Sequence, residues 1–273
     1  MKTTIGMLEL FNYPFCHNGK EESNMDVITV MKRYEMKFIL SKEQLVFLKD
    51  ALQGHMVVDQ YGKTSIASIY YDTPDYRLIR ASIEKPSYKE KIRLRSYGLI
   101  KNGKPAYLEL KRKCEGIVYK RRVETSEQEV AKFLSYETDE ISEGQIAKEM
   151  VYFRNLYKTL EPKIMIAYDR TSYKEIVGDI RLTIDENPRY RAYDLDLHTS
   201  MDGTPLLNPG EAILEIKVQQ EMPLWLTSIL SKGKIYKTTF SKVGTAYQKI
   251  MTINNMINER RKEHGLAVQL ISR

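Results

Sequence analysis

The placement of charge along its strand-like segments constrains this chain more than any other feature. At positions 33–38, Arg33, Glu35 and Lys37 alternate with Tyr34, Met36 and Phe38, which is the period of a β-strand. The alternation recurs at Lys91, Arg93 and Arg95 around Ile92 and Leu94, and at Glu109 and Lys111 around Leu108 and Leu110. It returns at Lys120, Arg122 and Glu124 against Arg121 and Val123, and at Tyr168 and Arg170. Arg181, Thr183 and Asp185 alternate with Leu182 and Ile184, and Glu215 and Lys217 with Leu214, Ile216 and Val218. Any one of these runs reads as a strand with a solvated face. Their repetition favours another reading, because the pair Glu-x-Lys appears three times, at 35/37, 109/111 and 215/217. An outer surface has no reason to repeat that pair. A polar lumen does, since basic side chains neutralise phosphate oxygens while carboxylates hold a hard divalent cation.

Around the first strand, the candidate strands are 65–71, 89–97, 106–112, 118–125, 163–173, 180–187 and 212–218, with Asn102-Gly103 as a hairpin turn signal. Ser41 with Gln44 three residues on predicts a capped helix over 45–52. Helical spacing also covers 126–160, 223–230 and 241–258. The expectation is an α+β protein, an eight-stranded antiparallel β-barrel forming a tunnel with helices packed outside. Residues 1–30 read as a flexible N-terminal tail, 31–258 as the tunnel domain and 259–273 as a C-terminal tail.

Composition narrows the function classes. Hydrophobic residues make up 42% and charged residues 29%, the profile of a globular protein with a true core. No apolar run approaches the roughly 20 residues that span a bilayer, and the first 16 residues make a poor signal peptide. Cys16 and Cys114 have neither metal-like nor redox-like spacing, so a reducing cytoplasm is expected. The net charge of +7 fits a nucleic-acid binder, an enzyme of acidic substrates and an ordinary basic protein alike. The basic runs 111–113 and 120–122 lack an aromatic platform, so no nucleic acid is expected as partner. His17, His55, His198 and His264 are scattered and suggest no metal cluster. Trp225 reads as a packing residue, and Tyr70-Tyr71-Asp72-Thr73 as a strand end and turn. No Gly-rich phosphate loop is present, so a nucleotide would be held by its triphosphate tail.

Eight segments carry a resemblance to a known family. They are Arg33-Tyr34-Glu35-Met36-Lys37-Phe38, Tyr70-Tyr71-Asp72-Thr73, Lys91-Ile92-Arg93-Leu94-Arg95, Leu108-Glu109-Leu110-Lys111, Tyr168-Asp169-Arg170, Arg181-Leu182-Thr183-Ile184-Asp185, Leu214-Glu215-Ile216-Lys217 and Phe240-Ser241-Lys242. No single one is specific; the ordered set, spanning about 32 to 250, is. The chain resembles the VTC (vacuolar transporter chaperone) domain of polyphosphate polymerases, within the triphosphate tunnel (CYTH-like) metalloenzymes. Arg33 stands where the superfamily's first glutamate would be, a departure that tells against a simple triphosphatase.

The resemblance implies a metal-dependent polymerase that moves the ATP γ-phosphoryl group to a growing polyphosphate chain. Arg93, Arg95, Lys111, Arg170 and Arg181 would grip the phosphates. Lys37, Lys91, Lys120, Arg122 and Lys217 would complete the basic lining, and Ser241 and Lys242 would anchor a phosphate at one mouth. A helix N-terminus with serine and lysine suits an anion independently of family. Glu215 would bind Mn2+ or Mg2+, aided by Glu35 or Glu109. The partners would be ATP and polyphosphate, with a membrane-protein partner left open. A triphosphate hydrolase and a non-enzymatic polyphosphate or inositol phosphate sensor are the alternatives, with cyclase chemistry behind them.

Overall fold

The computed structural model describes residues 34–271 except 102, 103, 116 and 220, with side chains through residue 260. Arg33, the Asn102-Gly103 turn and the expected tail at 1–30 lie outside the described residues. In chain order the elements are β1 (Tyr34–Leu40), α1 (Lys42–Ala51), β2 (Met56–Asp72), α2 (Arg77–Glu84), β3 (Tyr88–Tyr97), β4 (Ala106–Cys114) and β5 (Ile117–Thr125). There follow α3 (Glu127–Leu134), α4 (Gly144–Tyr157), β6 (Glu161–Glu175), β7 (Arg181–Arg191), β8 (Thr204–Pro205), β9 (Ala212–Val218), α5 (Leu224–Lys232), β10 (Lys237–Thr238) and α6 (Lys242–Ile271).

All eight expected strands form, as β1 to β7 and β9, joined by the two-residue strands β8 and β10. They make one antiparallel sheet in the order β10-β1-β9-β7-β6-β2-β3-β4-β5, with β8 on β7. The expected closed barrel is not what forms. Among the described residues no ladder joins β5 to β1 or β10, so the sheet is open. The outer edge of β1 is already taken, because Lys37 and Phe38 pair with Thr238 and Lys237 of β10. At the far end, β5 carries Lys120, Arg121 and Arg122, and charge on an edge strand opposes further pairing.

The sheet nevertheless curls on itself. β1 and β4 are six strand steps apart, about 28 Å in a flat sheet at about 4.7 Å per step. Yet Lys111 Nζ of β4 lies 3.9 Å from Glu35 Oε2 of β1. Side chains, not backbone ladders, bridge the seam.

The apolar alternates face outward and are covered by helices. Val130 and Phe133 of α3 and Met150 and Phe153 of α4 pack on Ile69, Ile92, Leu94, Leu108 and Leu110. Leu45 and Leu48 of α1 and Leu226, Ile229 and Leu230 of α5 pack on Phe38, Leu182, Ile184, Leu214 and Ile216. A third cluster sits on the charged face itself, where Ile66, Ile164, Ile166 and Tyr168 meet Ile79 of α2 and Val243 and Ala246 of α6. Burying these outer and inner faces supplies the hydrophobic driving force, at about 25 cal/mol per Å² of apolar surface removed from water.

The predicted capping box of α1 is present: Ser41 Oγ accepts from Gln44 N–H, and Gln44 Oε1 accepts from Ser41 N–H. Trp225 packs at the edge of the second cluster and stacks on His55 at 4.3 Å. One strand is longer than expected and one helix is additional. β2 begins nine residues before the expected 65, its period broken by a register shift between Val58 and Lys63 where Gly62 takes a φ of +58°. α2, over Arg77–Glu84, follows the turn expected at 70–73 and has no counterpart among the expected helices. At the C-terminus, α6 runs to Ile271, through most of the segment expected to be a tail. That stretch contains no proline, and its single glycine, Gly265, costs a helix only about 1 kcal/mol. No described helix is long and apolar enough to cross a membrane.

Candidate functional site

Directly paired residues of an antiparallel ladder share a face, so register alone assembles the site. Lys37 of β1 lies opposite Glu215 of β9, which lies opposite Thr183 of β7. Tyr70 of β2 faces Arg93 of β3, Arg93 faces Glu109 of β4, and Glu109 faces Arg122 of β5. Lys91, Lys111 and Lys120 form the neighbouring row, and Ser68, Arg95 and Tyr107 another. The curl of the sheet turns these rows toward one another.

Four groups of charges result. In the first, Lys37 Nζ sits 3.2 Å from Glu35 and 3.8 Å from Glu215, while Lys217 Nζ is 2.7 Å from Glu215. Burial works against the Glu215 carboxylate, yet Lys217, Lys37 and Arg170 together hold its pKa well below the usual range. Burial likewise opposes the Lys37 ammonium, and Glu215 and Glu35 more than offset it.

The second group centres on Glu109, which is 2% exposed as a residue. Arg93 reaches it through Nε (2.9 Å) and Nη2 (2.7 Å), Arg95 Nε at 3.6 Å, and Lys120 Nζ at 2.7 Å. Burial again raises and the cations lower, with the result that Glu109 falls to about 2. Arg93 also donates through Nη1 to Tyr70 Oη at 2.8 Å, and Arg95 donates to Ser68 Oγ and Tyr168 Oη, each at 3.3 Å.

The third group joins β6, β7 and α6. Arg170 holds Asp185 through Nε (2.6 Å) and Nη2 (2.8 Å), and Lys242 Nζ pairs with the same carboxylate. Lys242 Nζ also lies 4.4 Å from the centre of the Tyr168 ring. In the fourth, Lys91 and Lys111 face each other with Lys37 nearby. Burial, with Lys37, Lys111 and Lys89 against it, draws Lys91 down to about 8 although Tyr70 pulls the other way. Burial lowers Lys111 as well.

The structure thus brings Lys37, Lys91, Arg93, Arg95, Lys111, Lys120, Arg170, Lys217 and Lys242 into one charged lining. Arg122 sits over the Tyr107 ring, its Cζ 3.6 Å from the ring centre, on the edge strand β5. Arg181 is exposed, opposite Lys217 and Lys174 toward one mouth. The Ser241 hydroxyl accepts from Gly244 N–H at 3.3 Å, so its oxygen caps α6 while Lys242 reaches into the lining. Sequence reasoning passed over three members. Tyr168 and Asp185 were visible on charged strand registers but given no role, and Tyr70 was hidden in a tyrosine doublet read as a strand end.

The carboxylates do not all converge. Glu35 and Glu215 share Lys37, whereas Glu109 stands apart, engaged by its three cations. Among the described residues no group of three or more His, Cys, Asp and Glu is arranged to hold a metal. A magnesium-like cation needs less, because it takes one or two carboxylates and fills its shell with water and substrate phosphate oxygens. Glu35 and Glu215 fit that demand as hard oxygen donors.

An antiparallel sheet curled around opposed rows of cations and carboxylates, with helices covering its outer face and α2 and α6 against part of the inner one, defines the class of protein. Residues 32–251 match the VTC domain, and the chain belongs to that family. Among solved structures it is similar to a candidate adenylate cyclase from Bacillus halodurans, with 16% identity and a TM-score of 0.49 over 77% of this chain and 96% of that one. It is also similar to a candidate adenylyl cyclase from Hippeastrum described as having a dominant triphosphatase activity (16%, TM-score 0.47, 76% and 91%). A third is a candidate adenylate cyclase from Vibrio parahaemolyticus (13%, TM-score 0.43, 81% and 98%). The curated proteins contain no match to the sequence.

Proposed function

We propose that this chain is a polyphosphate polymerase, which binds a linear phosphate chain in its lumen and transfers the γ-phosphoryl group of ATP to the chain's end. The observation that carries the reading is that across the whole lining the inward cations outnumber the carboxylates Glu35, Glu109, Asp185 and Glu215, with cations on both sides of the seam. Lys37 on one side and Lys91 and Lys111 on the other give a linear polyanion charge on more than one flank.

Phosphoryl transfer asks little covalent chemistry of a protein; it asks for alignment and for neutralisation of the equatorial oxygens. Arg93, Arg95 and Arg170 present planar forks suited to phosphate oxygens. Lys37, Lys91 and Lys111 contribute point charges between them, and Lys242 adds one at the head of α6. Arg181, Lys217, Lys120 and Arg122 guide the chain at the openings. Glu215, with Glu35, would hold a divalent cation, Mn2+ or Mg2+, which supplies charge neutralisation at the reacting phosphates when bound. Lys37, now between those two carboxylates, would then be freed to face phosphate. With no Gly-rich loop in the sequence, ATP would enter by its triphosphate tail.

The test is incubation of the purified chain with ATP and manganese, with products resolved on a gel stained for polyphosphate. Long chains together with ADP are expected. Free phosphate without chains would replace the polymerase with a triphosphate hydrolase, and binding without turnover would replace it with a sensor.

A further inference from the structure

An arginine side chain carries five N–H donors. In Arg93, Nε–H donates to Glu109 Oε2 (2.9 Å), Nη2 pairs with the same oxygen at 2.7 Å, and Nη1 donates one hydrogen to Tyr70 Oη (2.8 Å). At least one hydrogen therefore remains on each terminal nitrogen, and two such donors match two oxygens of a single phosphate. Glu109 alone could fix one edge of the guanidinium. Tyr70 fixes the opposite corner, from the adjacent strand and directly across the ladder. Its hydroxyl is committed to a lumen cation, which distinguishes it from a tyrosine that merely fills the core.

We infer that Tyr70 is a positioning residue that aims Arg93 at the phosphate chain, and that loss of its proton loosens the grip. The inference rests on the phosphate-chain reading of the lumen. While the phenol is neutral it only accepts from Arg93 and leaves the guanidinium's charge to the ligand. As a phenolate it is a full anion 2.8 Å from the same nitrogen and competes with phosphate for it. Burial resists that ionisation, but Arg93, Lys91 and Arg95 draw the Tyr70 phenol down to about 8.

The charged and titratable groups facing Tyr70 are Lys91, Arg93 and Arg95 of β3, Lys37 of β1, Glu109 of β4 through Arg93, and Tyr168 of β6. Of these, Lys91 is also drawn to about 8, so its deprotonation would weaken phosphate binding over the same range. Lys91→Arg removes that titration and keeps the charge.

The experiment is calorimetric titration of the full chain with inorganic tripolyphosphate from pH 6.5 to 9.5. It compares the unmodified chain with Tyr70→Phe, Lys91→Arg and the double variant, each checked for folding by circular dichroism. Tyr70→Phe is expected to bind about tenfold more weakly at pH 7, in keeping with a lost hydrogen bond to a charged group. Lys91→Arg should still lose affinity above pH 8, and the double variant should lose less, its remaining fall coming from Lys111, whose ammonium burial also disfavours. Equal affinity and an unchanged pH profile in Tyr70→Phe would overturn the inference. So would a Lys91→Arg protein whose affinity does not fall above pH 8, a result that holds even if Tyr70→Phe fails to fold. An unmodified chain that does not bind tripolyphosphate would instead overturn the lumen reading beneath it.

Discussion

Glu109 sits where three cations from two neighbouring strands meet, and its carboxylate titrates at about 2 instead of the usual value above 4. The folded pKa lies below the unfolded one, so the stability it contributes is complete above the unfolded value. It is lost as pH falls through about 4 toward 2. At about 1.4 kcal/mol per unit, that contribution is on the order of 3 kcal/mol at neutral pH. Glu109→Gln should therefore lose about that much, since it takes from Arg93, Arg95 and Lys120 the negative charge they share. Its stability should then change less than the unmodified chain's between pH 4 and 2. Urea unfolding at pH 7, 4 and 2.5 measures both; an acid limb of undiminished size would place the acid sensitivity elsewhere. The charged residues of this site were visible in the sequence because strand period exposes a face. Their partners were not, because pairing couples residues far apart along the chain, as with Ser68 and Arg95 or Asp185 and Lys242.

At the scale of elements, α2 shows what a periodic reading misses. The helix has eight residues, is entered through Tyr76 at a φ of 60° and carries no capping box. Its cap comes from the end of β2. Asp72 is wholly buried and accepts from the backbone N–H groups of Thr73 (2.7 Å), Leu78 (2.8 Å) and Ile79 (2.7 Å). The acceptor stands five positions before the first helical residue, so no local pattern signals it. Asp72→Ala should cost about 2 kcal/mol, at the upper end for a lost cap, and should speed amide exchange in α2 first. Melting and hydrogen exchange report the two effects, and uniform loss of protection across the sheet would contradict a local cap. The basic run at 111–113 was legible only by half. Lys111 faces the lumen, whereas Arg112 turns outward and is buried against Glu90 (2.7 Å) and Glu149 (2.8 Å), with Arg121 on Glu149 at 3.0 Å. That network docks α4 on β3, β4 and β5. The strand period gives adjacent residues opposite faces, but it does not say which face carries a buried ion pair.

For the molecule as a whole, the open seam and the crowded lumen belong together. Closing the barrel by hydrogen bonds would need β5 against β1, and β1 is occupied by β10. Lys111 and Glu35 span the gap, one contact in a lining where Lys37, Lys91 and Lys111 repel one another. Such an interior is stabilised by whatever neutralises it. A ligand that binds only the folded chain adds about 2.7 kcal/mol when present at 100 times its Kd. For a domain of this size, about 1 kcal/mol moves the melting temperature by 2–4 °C. Tripolyphosphate at that excess should therefore raise the melting temperature by about 5–10 °C in low salt. The interaction is between charges, so the shift should shrink as ionic strength rises and the Debye length contracts from about 10 Å at 0.1 M to about 3 Å at 1 M. Thermal melts with and without tripolyphosphate at 0.05 and 0.5 M salt check this. Monophosphate at equal concentration is the control, since one phosphate cannot reach across several groups. A shift that ignores salt, or is matched by monophosphate, would mean that the rows of cations do not act together on a chain.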